Sequence, residues 1–478
     1  MVIQKYLLKW LLTPINSIMQ KTPSRLRDIL FIVGGLGLTL HCMLKGAGLT
    51  PYRFLFFFPI SCIFMGLVIL GSMGSGLTPV KFRLTLFIPW ICCGAIMLIS
   101  GIINNVDYIP DAILILVAFP ILYICWGNCE RNKLFTKLIL INKLTLLIFI
   151  LLSFLFIQIT TKKYYAFAIN PNTTSTLLSV SSAFLLIEII SEKKFSKKLV
   201  CDVMLFGAAA AINYYTNSRT GPLALICSAL IVLILYSITN PVRQTFITLA
   251  KLALTILISA VLSASLLYVF QLRQWLPIPY VNLKDQTVYT DDRWKDIFSP
   301  PADEPAPTDS PVNQAPTQPN KEPDKPFFDD GGFKDVNKDK LNTDKTLDKF
   351  STGRISVWKA YAKDLNLTGH STTPTVYIDF LFYKNISSTH MTILQVAYES
   401  GVVAGILYFI FNITSGILAI VYSVRHKKEK FALLPLAIIV VFGCISLLES
   451  NRVAFTNYNT LMYYLMLFPV MTKIPSHS

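Results

Sequence analysis

Long apolar runs separated by short polar turns make up most of the chain. A helix needs about 20 consecutive, mainly apolar residues to cross a lipid bilayer. Because a helix satisfies its own backbone hydrogen bonds inside the bilayer, each run is predicted to be helical. The pattern predicts an all-α polytopic membrane protein with about twelve transmembrane helices. The runs lie near 28–45, 54–72, 84–103, 111–127, 138–160, 173–190, 199–216, 220–239, 246–270, 392–423, 431–449 and 457–473.

The polar segments divide the chain into four parts. Residues 1–27 mix basic and apolar positions without a small-residue cleavage site, which favours a cytoplasmic, interfacial amphipathic helix over a cleaved signal. Residues 28–270 hold predicted transmembrane helices one to nine, and 392–478 hold helices ten to twelve. One large extracytoplasmic loop, 271–391, is predicted between helices nine and ten. Its Pro-, Asp- and Lys-rich insertion near 301–350 has too few apolar residues to offset its ordering entropy, so we expect it to be disordered.

Basic residues predict the orientation of the chain in the membrane. The formal net charge is +16, and most of the excess Lys and Arg lies in alternate loops, for example 193–198 and 425–430. Loops rich in Lys and Arg stay on the cytoplasmic side of a membrane. Both termini are therefore predicted to be cytoplasmic and the large loop to be outside. This distribution indicates contact with membrane lipids and no nucleic-acid partner.

Arg219 is unusual because its turn, in NYYTNSRTGPLA at 213–224, is very short and lies between two apolar runs. The predicted orientation places this turn on the outer face. One interpretation is that Arg219 reaches to lipid headgroups. The other is that Arg219 and the free N–H groups of the helix that begins at Thr220 bind an anion together.

The large loop contains a second candidate anion site in STGRISVWKAYAKDL at 351–365. Arg354 lies in the first turn of this predicted helix, and Trp358, Tyr361 and Leu365 follow on the same face. The stripe could pack on the membrane domain while Arg354 is solvated. Alternatively, Arg354 and the N-terminus of the helix bind an anion.

Further polar residues lie where the large loop returns to the membrane. His390 stands just before the apolar run 392–423, and Glu399 is predicted to lie inside that run. A lone histidine at a helix entrance is most often interfacial. A carboxylate inside a membrane needs a partner, which Glu449, Asn451 or Arg452 in the last outer turn could supply.

No metal or other cofactor is predicted. The chain contains no D-x-D pair, and its nine cysteines form no CxxC pair. Most of the cysteines lie in apolar runs and are typical of small core residues.

The order of these motifs resembles the bacterial O-antigen ligase superfamily, which includes lipid-linked polysaccharide polymerases. The resemblance covers roughly 165–410. The first five predicted helices are similar to the family in hydropathy only. The residues that carry the resemblance are Asn170-Pro171-Asn172, Ser218-Arg219, Gly353-Arg354 with Trp358, and His390 followed by Leu394, Glu399 and Gly401.

The resemblance implies catalytic roles for His390, Arg219 and Arg354. It also implies that Arg219, Arg354, Trp358, Asn172 and Glu399 bind substrate. Met391 stands where the family commonly has Asn, and a GxG pattern is degraded to Gly369-His370-Ser371. His370 is therefore kept as a second candidate for the role of the histidine.

The activity that the resemblance implies is a metal-independent glycosyl transfer in a bacterial plasma membrane. A polyprenyl-pyrophosphate-linked oligosaccharide would be the donor, and a sugar hydroxyl of another lipid-linked chain the acceptor. The arginines would stabilise the pyrophosphate and the histidine would be the general base, with Glu399 or Glu449 as candidates to orient one of them. A chain-length regulator or a flippase would be the protein partner.

Two other functions stay open on the sequence. An enzyme with the same site could be a ligase that transfers to a lipid, protein or wall acceptor. The Lys-, Asn- and Ile-rich composition favours a single-membrane bacterium without lipid A, so a polymerase is the preferred prediction. A lipid-linked sugar flippase is the alternative from another class, although such transporters commonly have two similar halves with short loops.

Overall fold

The computed structural model of the protein describes most of the apolar chain and part of the large loop. The insertion predicted near 301–350 lies outside the described residues, as do Asn451 and Arg452. The description covers residues 6, 8–49, 54–74, 77, 79–104, 109–158, 164–192, 194–273, 276, 278, 280–282, 287–289, 354–372, 376–378, 384–386, 388–450 and 457–473.

Every apolar run identified in the sequence contains at least one helix. A π-helical turn, Leu8–Leu12, precedes the first α-helix, and a second π-helical stretch, Leu114–Ala118, lies inside α5. The helices are α1 Thr13–Lys21, α2 Ser24–Gly46, α3 Phe54–Ser72, α4 Leu84–Ile103, α5 Ile109–Trp126, α6 Arg131–Phe156, α7 Pro171–Ser191, α8 Lys197–Tyr215, α9 Thr220–Thr239, α10 Val242–Arg273, α11 Arg354–Lys363, α12 Thr392–Ser400, α13 Val402–Arg425, α14 Leu434–Leu448 and α15 Tyr458–Met471.

Short antiparallel strand pairs complete the described structure. Strands β2 (Tyr280–Asn282) and β3 (Thr287–Tyr289) pair, and so do β4 (Val376–Ile378) and β5 (Lys384–Ile386). The pair β1 (Lys81–Phe82) and β6 (Thr472–Lys473) joins the segment before α4 to the end of α15.

Eight of the described helices are long and apolar enough to cross a membrane. Their length and composition indicate a membrane-embedded, all-α protein. The prediction of an all-α membrane protein is therefore confirmed. The count of twelve spans and the sidedness of the large loop stay predictions.

Helix α7 forms the centre of the bundle. Nearly all of its residues are buried, and it packs against α6, α8, α9, α14 and α15. Serine and threonine residues allow this close packing, because small side chains let neighbouring backbones approach. Their polar groups find partners across helices: Asn213 Nδ2 donates to Ser179 Oγ at 3.1 Å, and Asn142 Nδ2 to the Ser181 carbonyl at 3.3 Å. The central position of α7 fixes the position of its N-terminus.

The predicted span 392–423 is divided into two helices. Gly401 has φ 95° and ψ 155°, a conformation that is open mainly to glycine, and α12 ends there. Helix α12 then packs back on α13, where a Cβ at Gly405 would lie 2.4 Å from Ala397 Cβ. Glu399 therefore lies near the end of a short helix, not deep inside a continuous span. The apolar run gave no sign of this break because both helices bury apolar residues.

A buried ion cluster lies at the end of α7 that is opposite to its N-terminus. Lys143 Nζ lies 2.5 Å from both Glu188 Oε2 and Asp202 Oδ1, and Lys198 Nζ lies 2.5 Å from Glu188 Oε1. The side chains of Glu188 and Asp202 are each only 3% exposed. Two cations balance two carboxylates here, which is the condition for burying such groups.

We expect Gly71→Ala to destabilise the protein by about 1–3 kcal/mol, because an added methyl group overpacks the contact between α3 and α2. A Cβ at Gly71 would lie 2.4 Å from the Phe31 backbone nitrogen and 2.7 Å from the Arg27 carbonyl oxygen. Gly66, on the same helix, has no heavy atom within 4 Å of such a Cβ. Gly66→Ala is the matched control and should leave the thermal unfolding temperature in detergent unchanged or higher. Equal unfolding temperatures for the two variants would contradict the close packing.

Candidate functional site

The carboxylate of Glu449 is the centre of a polar cluster at the end of α14. Asn172 Nδ2 donates to Glu449 Oε1 at 2.8 Å, and Arg354 Nη2 donates to the same oxygen at 3.0 Å. Thr220 Oγ1 also donates to Oε1, at 3.4 Å, while His390 Nδ1 lies 3.4 Å from Oε2. We call these five residues the Glu449 cluster.

Four helices begin at the Glu449 cluster. Asn172 lies in the first turn of α7, and Thr220 and Arg354 are the first residues of α9 and α11. Thr392, the first residue of α12, donates its hydroxyl to the Glu449 carbonyl at 2.8 Å. Helix N-termini carry partial positive charge and free N–H groups, so their convergence favours an anion.

Local sequence explains how two of these helices begin. The Asn170 side chain accepts a hydrogen bond from the Asn172 backbone N–H, and Pro171 occupies the first helical position of α7. Helix α8 ends at Tyr215, and Asn217 follows with a φ of 54°, a left-handed conformation that asparagine tolerates. This turn lets α9 begin immediately afterwards, on the same side of the bundle as α7.

Arg354 and His390 are held by Glu449 and remain accessible. The exposed fractions of the side chains are 21% for Arg354, 25% for His390 and 13% for Glu449. Such partial burial strengthens electrostatic interactions while leaving access to a substrate. His390 turns its Nδ1 towards the carboxylate, and no hydrogen bond described in this structure engages its Nε2.

The backbone at His390 has a left-handed conformation, with φ 50°. Its neighbour Thr389 stabilises this turn, because its N–H donates to Gln395 Oε1 at 2.9 Å and its hydroxyl donates to the Met391 carbonyl at 2.8 Å. Gln395 in turn donates to the Glu399 carboxylate. Glu399 is therefore linked to the turn through Gln395. Non-glycine residues in this conformation are uncommon and concentrate at functional sites.

The other predicted arginine, Arg219, lies at the edge of the cluster. It is the residue before α9, and its side chain is exposed. Among the described residues it forms no ion pair, although its neighbour Thr220 reaches Glu449. The structure thus brings the α9 N-terminus to the cluster and leaves the Arg219 guanidinium beside it.

Trp358 lies one turn after Arg354 and is half-buried. Its indole Nε1 is buried and has no hydrogen-bond partner among the described residues. Helix α11 docks on α12 through Val357, Tyr361 and Tyr398, with Leu365 packed beside them. The predicted packing of Tyr361 and Leu365 agrees with this contact, whereas Val357 was not identified from the sequence.

His370 occupies a different place from the Glu449 cluster. Its ring stacks on Tyr398 with centroids 4.0 Å apart and an interplanar angle of 7°. Its Nδ1 lies 2.9 Å from the Tyr398 carbonyl, and its Nε2 lies 3.2 Å from Asn366 Nδ2 and 3.4 Å from Asp364 Oδ2. Nδ1 joins the loop after α11 to α12, and Nε2 has its partners within that loop, so His370 has the contacts of a structural residue.

Sequence reasoning missed several members of the site. Thr392 and Gln395 were not identified, Thr220 was identified only as the start of a helix, and Glu449 was only one of several possible partners. The signal for Glu449 was its position, since it directly follows an apolar run on the predicted outer side. Its pairing with Arg354 spans 95 residues of sequence, and no local pattern predicts it.

A double-mutant cycle should detect direct coupling between Arg354 and Glu449. We expect Arg354→Ala and Glu449→Ala to be non-additive by about 0.5–3 kcal/mol in the free energy of unfolding, because each removes the same ion pair. Lys359 is exposed and lies on the same helix as Arg354, so Lys359→Ala with Glu449→Ala is the matched control and should be additive. Additivity in both pairs, measured by chemical unfolding in detergent, would refute the contact.

Comparison with known proteins assigns no family to the chain. No protein-family model matches it, and no curated protein matches it. The resemblance to the O-antigen ligase superfamily stays a prediction that rests on the order of motifs in the sequence. The chemistry of the Glu449 cluster is the basis on which a function can be inferred.

Proposed function

We propose that the protein is a metal-independent glycosyltransferase that elongates a bacterial surface polysaccharide, such as a capsule. The donor is an oligosaccharide linked through pyrophosphate to a polyprenyl carrier, and the acceptor is a sugar hydroxyl of another lipid-linked chain. The observation that carries this proposal is the convergence of Arg354, His390 and the N-termini of α7 and α9 on Glu449.

The cationic side of the cluster suits the leaving group. As the bond between the anomeric carbon and the pyrophosphate oxygen breaks, negative charge develops on the diphosphate. Fixed donors aimed at such charge are usually the largest catalytic contribution. Arg354 and the exposed Arg219 can grip phosphate oxygens with two parallel N–H groups, and the helix N-termini add backbone donors.

The imidazole side of the cluster suits the nucleophile. His390 Nε2 takes the proton of the acceptor hydroxyl while that oxygen forms the new bond to the anomeric carbon. Glu449, beside Nδ1, orients the ring and stabilises the imidazolium that forms. Direct attack of this kind inverts the anomeric configuration. Glu449 and Asn172 are then positioning residues for His390 and Arg354.

The proposed setting is the bacterial plasma membrane, with both termini in the cytoplasm and the Glu449 cluster facing outward. The distribution of Lys and Arg between the loops supports this orientation. Trp358 is half-buried, and the accessible part of its ring would pack on the sugars of the substrate. The Lys-, Asn- and Ile-rich composition of the chain favours a lipid-linked acceptor, and therefore a polymerase, over a ligase.

We expect His390→Ala to lower the rate of transfer by about 10²–10⁴-fold, because the general base is lost. The measurement is single-turnover elongation of purified polyprenyl-pyrophosphate repeat units in detergent. His370→Phe keeps the ring that stacks on Tyr398 and serves as the control, with transfer close to that of the parent. If His390→Ala is as active as the parent, the base assignment is wrong. Movement of substrate between the leaflets of vesicles that contain the purified protein, without elongation, would favour a flippase.

Arg219→Lys and Arg354→Lys should each lose most of the activity, because an ammonium group keeps the charge but cannot form the forked contact with phosphate. The measurement is the size of the surface polysaccharide in cells whose only copy carries the variant. Single repeat units, as in a deletion strain, indicate a polymerase. Full-length polymer that is not attached to its acceptor would indicate a ligase, and normal polymer would contradict the roles of both arginines. Lys359→Gln, on the same helix as Arg354, is the control and should give polymer of normal size.

A further inference from the structure

A second group of charged side chains lies on the face of the bundle opposite the Glu449 cluster. It contains Lys81, Arg83, Arg425 and Lys473, which we call the basic cluster. Helix α4 begins after Arg83 and reaches the other face at Ser100, where the Ser100 hydroxyl donates to the Glu399 carbonyl. Helix α13 begins at the same face as Glu399 and ends at Arg425. Arg83 and Ser100 are therefore separated by about 25 Å along α4.

The fold forces two lysines of the basic cluster together. In the pairing of β1 with β6, Lys81 stands directly opposite Lys473, and the Arg83 N–H extends this pairing to the Met471 carbonyl at 2.8 Å. Residues directly opposite in an antiparallel pair share one face, and like charges there are destabilising. An anion between the lysines would relieve this repulsion.

The two arginines of the basic cluster are close enough to repel each other. Partial burial lowers the pKa of the Arg83 guanidinium, and the nearby Arg425 cation lowers this pKa further. Arginine remains charged despite such shifts. Arg83 Nε is buried and has no hydrogen-bond partner among the described residues. This guanidinium is thus partly desolvated without a described compensating acceptor at Nε.

The described carboxylates near this face are already paired with other cations. No ion pair among the described residues involves Lys81, Arg83, Arg425 or Lys473. The pairs that do form are Asp28 with Lys137, Glu130 with Lys133, Glu192 with Lys198 and Lys430, and Glu429 with Arg131.

Exposed apolar side chains adjoin the basic cluster. Leu84 and Ile88, in the first turns of α4, are 63% and 53% exposed, and Val424, next to Arg425, is 43% exposed. In a membrane-embedded protein these side chains face lipid chains. A ligand that carries both a phosphate and acyl chains matches the combination of charges and apolar surface.

We propose that the basic cluster binds the phosphate headgroup of an anionic glycerophospholipid of the adjacent leaflet. Arg83 and Arg425 bind the phosphate oxygens, Lys81 and Lys473 close the site from the strand pair, and the acyl chains lie along Leu84 and Ile88. The site is independent of the proposed glycosyl transfer. It also joins the segment before α4, the end of α13 and the end of β6 through one ligand.

The test is lipid retention by the full-length chain, measured by native mass spectrometry from mixed micelles of phosphatidylglycerol and phosphatidylcholine with matched acyl chains. Each basic residue near an anionic lipid surface contributes about fivefold to affinity. Arg83→Gln together with Arg425→Gln should therefore lower the retention of phosphatidylglycerol by about 30-fold. Retention of phosphatidylcholine should not change.

The matched control is Lys194→Gln together with Lys197→Gln, which removes the same charge from the same face. Both lysines are exposed and lie between α7 and α8 or at the start of α8. This control should retain phosphatidylglycerol like the parent. If the double arginine variant does not fold, Arg425→Gln alone should lower retention by about fivefold.

Three results would overturn the proposal. The arginine variants could retain phosphatidylglycerol like the parent, or the lysine control could lose it to the same extent. Inorganic phosphate could also displace phosphatidylglycerol and raise the unfolding temperature as much as the lipid does. That last result would identify a soluble phosphate ligand in place of a lipid.

Discussion

The negative charge of the Glu449 carboxylate must be balanced by positive groups, and the surrounding helix N-termini and Arg354 supply them. Glu449 directly follows α14, so its negative charge lies at the end of a helix where the dipole is also negative. That position is unfavourable for an anion unless positive groups surround it. Four helices begin at the Glu449 cluster and contribute the partial positive charge of their N-termini, and Arg354 adds a full positive charge. Removal of the carboxylate would leave several donors and partial positive charges facing each other.

The groups that balance the charge of Glu449 come from two kinds of segment. Asn172 and Thr220 lie on helices of the bundle, whereas Arg354 and His390 lie on segments that border the large loop. Asn172 belongs to α7, which is buried along nearly its whole length, and Thr220 begins α9, which packs on α7. Arg354 lies on α11, which docks on α12, and His390 lies in a turn that Thr389 and Gln395 stabilise. In the proposed mechanism a substrate diphosphate competes with Glu449 for Arg354 without disturbing α7. Arrangements of this kind combine a preorganised frame with groups that can move onto a ligand.

The sequence predicted helices well because a bilayer leaves few alternatives for an apolar run. It predicted the site less completely, because the bonds to Glu449 connect segments that are distant in sequence, as with Asn172. The break at Gly401 was missed because the apolar pattern continues through it, and only its φ of 95° reveals the turn. The half-buried Lys143 was also not recognised within its apolar run, because its buried partners Glu188 and Asp202 come from two other helices. A residue whose role depends on contacts with distant parts of the chain shows little of that role in the sequence pattern around it.

The two faces of the bundle have opposite electrostatic arrangements. On one face a carboxylate is surrounded by positive groups of the protein, so the protein supplies its own anion. On the other face Arg83 lies within electrostatic range of Arg425, and the described acids nearby are engaged by other cations. A net charge of +16 counts every basic residue equally and does not distinguish a basic residue with a protein partner from one without. Arg131, which has Glu429, and Arg83, for which no acid is described, contribute equally to that sum. Only the pairing of individual charges separates residues that stabilise the fold from residues that are available to a ligand.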